Sequence, residues 1–219
     1  MKKKSSYLKL LLIMILCCMI SVIPVQASSK KTTAKWATAY LKVIKKLNRE
    51  RYPGTKYTYD LIYFNNDRIP ELVAGMDGYW VSMYTYSPSK KKVYTVIDQW
   101  GYGAMGNAGY SYLPKKNTLY NQNSDYAGAL NYVYYGKMKN YKIVSRYSKE
   151  LKIQYFKDKN NNHAPDSNEY VKKPFYYYGN KRITKKKFDT YKIKGNYKTL
   201  IGSVSYNTMK KKLIAKGAK

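Results

Sequence analysis
From Lys56 onward the chain is a succession of short runs in which tyrosines and aliphatic residues alternate with polar ones. Glycine, proline and asparagine break the runs at close intervals. A period of two marks strands with a buried face, and connections this short suit antiparallel pairing rather than parallel crossovers. KYTYDLIYF sets Tyr57, Tyr59, Leu61 and Tyr63 on one face against Thr58, Asp60, Ile62 and Phe64 on the other. ELVAGM leads through Asp77-Gly78 into YWVSMYTY, a hairpin pattern. VYTVIDQW, TLYNQN, ALNYVYY, YKIVSRY, LKIQYF and FYYYG read as further strands.

Helical periodicity appears only at the ends. Between Thr33 and Arg49, Trp36, Tyr40, Leu41, Ile44 and Leu47 share one face; Thr32 or Thr33 can cap the start, and Pro53-Gly54 stops it. Near the C-terminus Thr184 can cap KKKFDTY, and Ser205 can cap a last helix with Tyr206, Met209 and Leu213 on one side. The expectation is an α+β fold. It has a mostly antiparallel β-sheet, an N-terminal amphipathic helix and one or two C-terminal helices. YVYYGK and FYYYGN echo each other without the regular period of a repeat array, so two ordinary hairpins explain them.

The first 27 residues read as a signal peptide: Lys2, Lys3 and Lys4, an apolar run from Leu10 to Ile23, then VQA before Ser28. The run is too short for a retained membrane span. Residues 28–219 then form a single secreted domain, with a sub-boundary allowed near 156–170. Cys17 and Cys18 both fall in the removed segment, so the mature chain has no disulfide, zinc–thiolate site or cysteine nucleophile. With His163 the only histidine, a multi-histidine metal site is excluded.

Charge is the second constraint on function. The formal net charge of +30 falls only to about +26 when Lys2, Lys3, Lys4 and Lys9 leave with the signal. Lysine far outnumbers arginine, which suits diffuse attraction to anionic polymers better than bidentate reading of bases. Outside a cell the partners this implies are anionic wall polymers or glycans, with no dedicated nucleic-acid target.

Several stretches can carry chemistry. GYGAMG, Gly101 to Gly106, matches G-x-G-x-x-G, but NAGYSYLPKK after it reads as turn and strand, not the helix a dinucleotide needs. It reads better as a glycine-rich loop presenting Trp100, Tyr102, Tyr110 and Tyr112, whose rings can stack on a sugar or simply pack. SPSK, Ser87 to Lys90, matches S-x-x-K but lies in a turn, whereas that chemistry needs a buried helix start. Glu71, Asp98 and Glu150 are conceivable members of a hydrolytic carboxylate pair, and nothing around them ranks one above another.

Two loops resemble calcium sites. In YFNNDRIPELVAG, Tyr63 takes position 1, Asn65 position 3, Asp67 position 5 and Glu71 position 9, with Arg68 in the glycine slot. The positive charge of Arg68 opposes a cation there, with Asp67 expected to pair with Arg68 or a nearby lysine. In DKNNNHAPDSNE, Asp158, Asn160, Asn162, Asp166 and Glu169 take positions 1, 3, 5, 9 and 12, and Ala164 offers its carbonyl at 7. His163 stands at the glycine turn, at some cost in backbone strain. The first segment, with its IPEL, resembles the D-x-D-G-D-G-x-P-E-L segment of uncharacterised secreted proteins of clostridial-type Gram-positive bacteria. The likeness extends to the signal peptide, the front helix and the tail YYYGNKRITKKKFDTY. It implies secretion and a calcium-type loop in relatives with the fuller motif, and it carries no activity.

The reading that joins these features is a secreted, non-catalytic binding protein at the cell wall or extracellular surface, with one weak calcium loop at Asp158–Glu169. A secreted carboxylate-dependent glycoside hydrolase is the alternative from another class. A purely structural or interaction protein whose tyrosines fill the core is the third.

Overall fold
The computed structural model describes residues 34–218. The signal segment with Cys17 and Cys18, and the candidate caps Thr32 and Thr33, lie outside them. Helix α1 (Lys35–Glu50) buries Ala37, Tyr40, Leu41 and Ile44, one stripe at helical spacing. Full burial of such large side chains contributes roughly 1.5–3 kcal/mol each, so packing holds this helix more than propensity does. The residue at its N-cap is Ala34, with no side-chain cap. Its Tyr40 hydroxyl donates to the Pro70 carbonyl at 2.9 Å, fixing the helix over the strand that follows.

The strands form two antiparallel sheets. The first runs β1 (Thr58–Ile62), β2 (Glu71–Met76), β3 (Trp80–Ser87), β4 (Lys92–Gly101) in chain order. Asp77-Gly78 turns the β2–β3 hairpin as the sequence implies, with Gly78 left-handed and Tyr79 exposed beside it. Between β3 and β4 the register slips, and the Ser82 hydroxyl accepts the Gln99 N–H at 2.8 Å where the ladder is interrupted.

The second sheet contains β5 (Tyr110–Leu113), β6 (Thr118–Asp125), β7 (Leu130–Lys139), β8 (Lys142–Ser145), β9 (Leu151–Phe156), β10 (Tyr170–Tyr178), β11 (Lys181–Ile183) and β12 (Lys198–Thr199). Its order is β11-β10-β9-β7-β6-β5-β12, with β8 also pairing β7. YVYYGK and FYYYGN belong to the β7–β8 and β10–β11 hairpins. Residues 34–218 fall in one compact unit.

Alternation sorts the side chains into layers. Leu72, Ala74, Tyr84 and Tyr86 face α1 and the last helix, α3 (Tyr206–Ala215), whose Met209 and Leu213 are buried with them. Val73, Val81 and Met83 point the other way, onto Tyr112 and Leu119 of the second sheet. The far side of that sheet is covered by the short helix α2 (Lys185–Asp189) and the chain after it, around Phe188 and a row of tyrosines. Tyr120, Tyr135, Tyr147 and Tyr191 meet ring to ring at 5.3, 6.0 and 5.1 Å. Burial there pushes the Tyr135 hydroxyl up to about 12. Thr184 and Ser205 cap α2 and α3, accepting the N–H groups of Lys187 and Thr208. The fold is thus α+β and mostly antiparallel, with an amphipathic helix first and helices at the end. Among the described residues no helix is long and apolar enough to cross a membrane.

Candidate functional site
The strongest local charge imbalance is C-terminal. From Tyr170 to Lys219, fifteen lysines and arginines stand against a single acid, Asp189. That acid is occupied by its own neighbours: Lys192 lies 2.8 Å away and Lys185 closer still, which lowers the Asp189 carboxyl and raises the Lys185 ammonium. Where the β10–β11 hairpin runs into α2 there is an open groove of about 820 Å³. Lys173, Lys181, Arg182, Lys185 and Lys187 line it together with Phe175 and Tyr176. The Arg182 guanidinium stacks 4.0 Å from the Phe175 ring centre, which fixes its plane. Among the described residues Lys173, Lys181, Arg182 and Lys187 form no ion pair. Chemically this is a cationic trough with an aromatic lining.

The glycine-rich loop needs its glycines for a reason that has nothing to do with phosphate. A Cβ on Gly103 would sit 2.1 Å from the Gly78 carbonyl oxygen, and one on Gly106 would sit 1.9 Å from that of Ser124. The glycines let backbone pass backbone, and strand β5 follows rather than a helix. Asn107 ties the loop inside, donating to the Gly101 carbonyl at 3.1 Å and accepting from Gly109 N–H and Asn121 Nδ2. The four expected aromatics fall in one packed cluster, three of them partly buried against the core that holds Tyr112. Trp100 and Tyr110 pack ring on ring at 5.4 Å, and Tyr102 donates to Asp77, all three half-buried. Tyr112 is buried in the core against Phe64, so its face is closed to a ligand. What lies open is Tyr79 and Met105, 66% and 89% exposed. Together with Tyr102 they border a groove of about 660 Å³.

The first loop is closed by its own side chains. Asp67 accepts from Ile69 N–H at 2.9 Å and from Asn65 Nδ2 at 3.0 Å, while Asn65 Oδ1 accepts from Asp67 N–H. The expected pairing of Asp67 with a cation is replaced by these bonds. Arg68 takes the left-handed conformation that a glycine would supply, with φ 69°. Glu71 turns inward, fully buried, accepting the Phe64 N–H at 2.8 Å and facing the Thr85 hydroxyl at 3.4 Å. Desolvation dominates there and raises its carboxyl from 4.5 to about 7.

The second loop keeps its acids in place. Asp158 accepts from the N–H groups of Asn162 and His163, both at 3.1 Å, and the His163 ring lies 3.3 Å from it. Asn162 Oδ1 accepts from Ala164 N–H, and Asn160 Nδ2 donates to Asp166 at 2.7 Å. Glu169 is buried, both oxygens accepting loop amides, from Lys159 at 2.6 Å and Asp166 at 3.3 Å. It closes the neck of the loop. Among the described residues no three His, Cys, Asp or Glu side chains gather at one metal position. Asp158 and Asp166 with the two asparagine oxygens and the Ala164 carbonyl form the donor set that remains.

Of the candidate hydrolytic carboxylates, Glu71 is buried, Asp98 is exposed on β4, and Glu150 is exposed 3.8 Å from Lys152. SPSK forms the β3–β4 turn, its Ser87 hydroxyl paired with that of Tyr141 at 2.9 Å. Compared with known proteins, the chain matches no family model, no curated protein and no solved structure.

Proposed function
We propose that this is a secreted, non-catalytic binding protein that adheres through lysine and arginine to an anionic polymer of the cell wall or extracellular surface. The observation that carries the reading is the fifteen-to-one charge imbalance from Tyr170 onward, of which five cations line one groove and only Lys185 among those five has an acidic partner. Such a surface repels itself, and a polyanion relieves that repulsion while releasing its own counterions. The likeness to secreted clostridial-type proteins is consistent with export and cleavage before Ser28.

Binding of the mature chain to anionic walls should therefore fall steeply with salt. With about six phosphate contacts the loss between about 50 and 200 mM salt is roughly 10³-fold, and walls stripped of anionic polymer should bind far less at every salt. Equal retention on stripped walls at high salt overturns the charge reading. It would favour glycan stacking, for which Tyr79 and Tyr102 at the glycine-rich loop are the available rings.

Calcium enters the proposal as a weak ligand of Asp158–Glu169. A carboxylate oxygen that accepts one N–H keeps a second lone pair, so the hydrogen bonds of Asp158 and Asp166 do not exhaust them. Added calcium should raise the thermal midpoint only near roughly 0.1–1 mM. Asp158→Ala should abolish the shift and Asp67→Ala should leave it. The reverse pattern would assign the cation to the first loop.

A further inference from the structure
Between the β5–β6 turn and the segment returning from α2 lies a cavity of about 580 Å³. Leu113, Pro114 and Ile193 give it apolar walls. Its charged lining is Lys116, Arg146, Lys194 and Lys198, and no acid lines it. The four cations come from three separate parts of the chain: the β5–β6 turn, the end of β8, and the segment leading into β12.

Arg146 is the fixed centre of this group. Its backbone N–H donates to the Tyr135 carbonyl at 2.9 Å, and its Nη2 donates to the Asn117 carbonyl at 2.5 Å and the Thr118 hydroxyl at 2.8 Å. The turn it grips is itself pinned. Lys115 and Asn117 N–H groups donate to the carbonyls of Tyr63 and Phe64, and the Asn117 side chain exchanges hydrogen bonds with both Met138 backbone groups. Yet the guanidinium has no carboxylate partner among the described residues, and its Nε is buried without an acceptor. A half-buried cation whose charged neighbours in the cavity are all cations is unfavourable unless an anion joins it.

We infer that this cavity is a phosphate-ester site, with Arg146 as the oriented donor and Lys116, Lys194 and Lys198 as the surrounding charge. The inference rests on the anionic-polymer reading and sharpens it: the polymer is a phosphodiester chain, anchored here through one phosphate. A surplus of four cations exceeds what a single carboxylate needs. Arg146 Nη2 is committed to Asn117 and Thr118 and its Nε is buried, so Nη1 is the donor that the held guanidinium offers a phosphate oxygen, while the lysines act as point charges. The apolar walls suit the carbon backbone between phosphates.

The test is calorimetric titration of the mature chain with short glycerol-phosphate oligomers at fixed ionic strength. Arg146→Gln and Lys198→Gln are compared with Lys211→Gln, which removes the same charge from exposed α3. Loss of a charged hydrogen bond at a built site should weaken binding roughly 10- to 100-fold, against about twofold or less for the α3 control. Lys198 is exposed, so its variant reports on the site even if Arg146→Gln disturbs the turn. If Lys198→Gln binds like Lys211→Gln, charge acts diffusely, and the site is refuted while the broader reading stands. If the wild-type chain binds no oligomer yet still binds anionic walls in a salt-dependent way, the phosphate-ester site is refuted and the broader reading stands; if it binds neither, both fail. If inorganic phosphate binds as tightly as the oligomers, the polymer assignment is overturned.

Discussion
Glu71→Gln should flatten the pH dependence of stability on the acid side of neutrality and make the protein more stable than wild type above about pH 7. The wild-type carboxyl is raised from 4.5 to about 7 in the folded state, chiefly by burial. The folded chain therefore binds its proton more tightly than the unfolded chain. By linkage, this group's contribution to stability is greatest below about pH 4.5, falls as pH rises through about 7, and is level beyond. The span corresponds to roughly 3 kcal/mol contributed by this one group. Glutamine can keep both contacts, its oxygen accepting the Phe64 N–H and its amide donating to Thr85, without ever becoming charged. Urea unfolding of the two proteins at a series of pH values measures the difference. Parallel curves would mean that Glu71 is ionised in the fold at no cost, and that the buried carboxylate is stabilised in a way the Phe64 and Thr85 contacts do not explain. Glu71→Ala should behave differently, losing stability at every pH because it strands the Phe64 N–H.

Glu71 also shows where sequence reasoning stops. A carboxylate at the ninth position of a loop with alternating polar residues has the pattern of a cation ligand. Nothing local tells that β2 enters the sheet at that residue and carries the side chain under the loop. Tyr112 poses the same difficulty. A tyrosine in an alternating run suits a wet face or a dry one, and the choice here was made by Phe64, which lies far away in sequence. Features set by neighbouring residues were readable: the apolar stripe of α1, the Asp77-Gly78 turn, and the caps Thr184 and Ser205 all depend on chemistry within a few positions. The Arg146 cavity was not readable at all, because residues 116, 146, 194 and 198 meet only once the second sheet has closed. The groove at β10–β11 lies between. Its lysines are plain in the sequence, but not that they share a trough with Phe175 and Tyr176.

Gly202→Ala should be among the most damaging single substitutions in the chain, although it adds only one methyl group. Residues 202–204 run along the open edge of β1: Tyr59 N–H donates to the Val204 carbonyl at 2.8 Å, and Val204 N–H returns to the Tyr59 carbonyl at 3.0 Å. Gly202 lies closer still. A Cβ there would sit 2.3 Å from the Thr58 carbonyl carbon and 2.4 Å from both the Thr58 oxygen and the Tyr59 nitrogen. All three are backbone atoms of a paired strand, so no side chain can swing aside to make room. The segment must lift, breaking the edge hydrogen bonds and loosening α3, whose Met209 and Leu213 help close the core over β1. The expected loss is about 3 kcal/mol or more, with amide exchange in α3 accelerating first. Gly54→Ala provides the contrast. Gly54 is left-handed at φ +83° but has nothing within 4 Å of its would-be Cβ. Backbone strain alone should cost it about 1–2 kcal/mol. If the two variants unfold at the same denaturant midpoint, the close approach of residue 202 to β1 is not what holds the C-terminal segment in place.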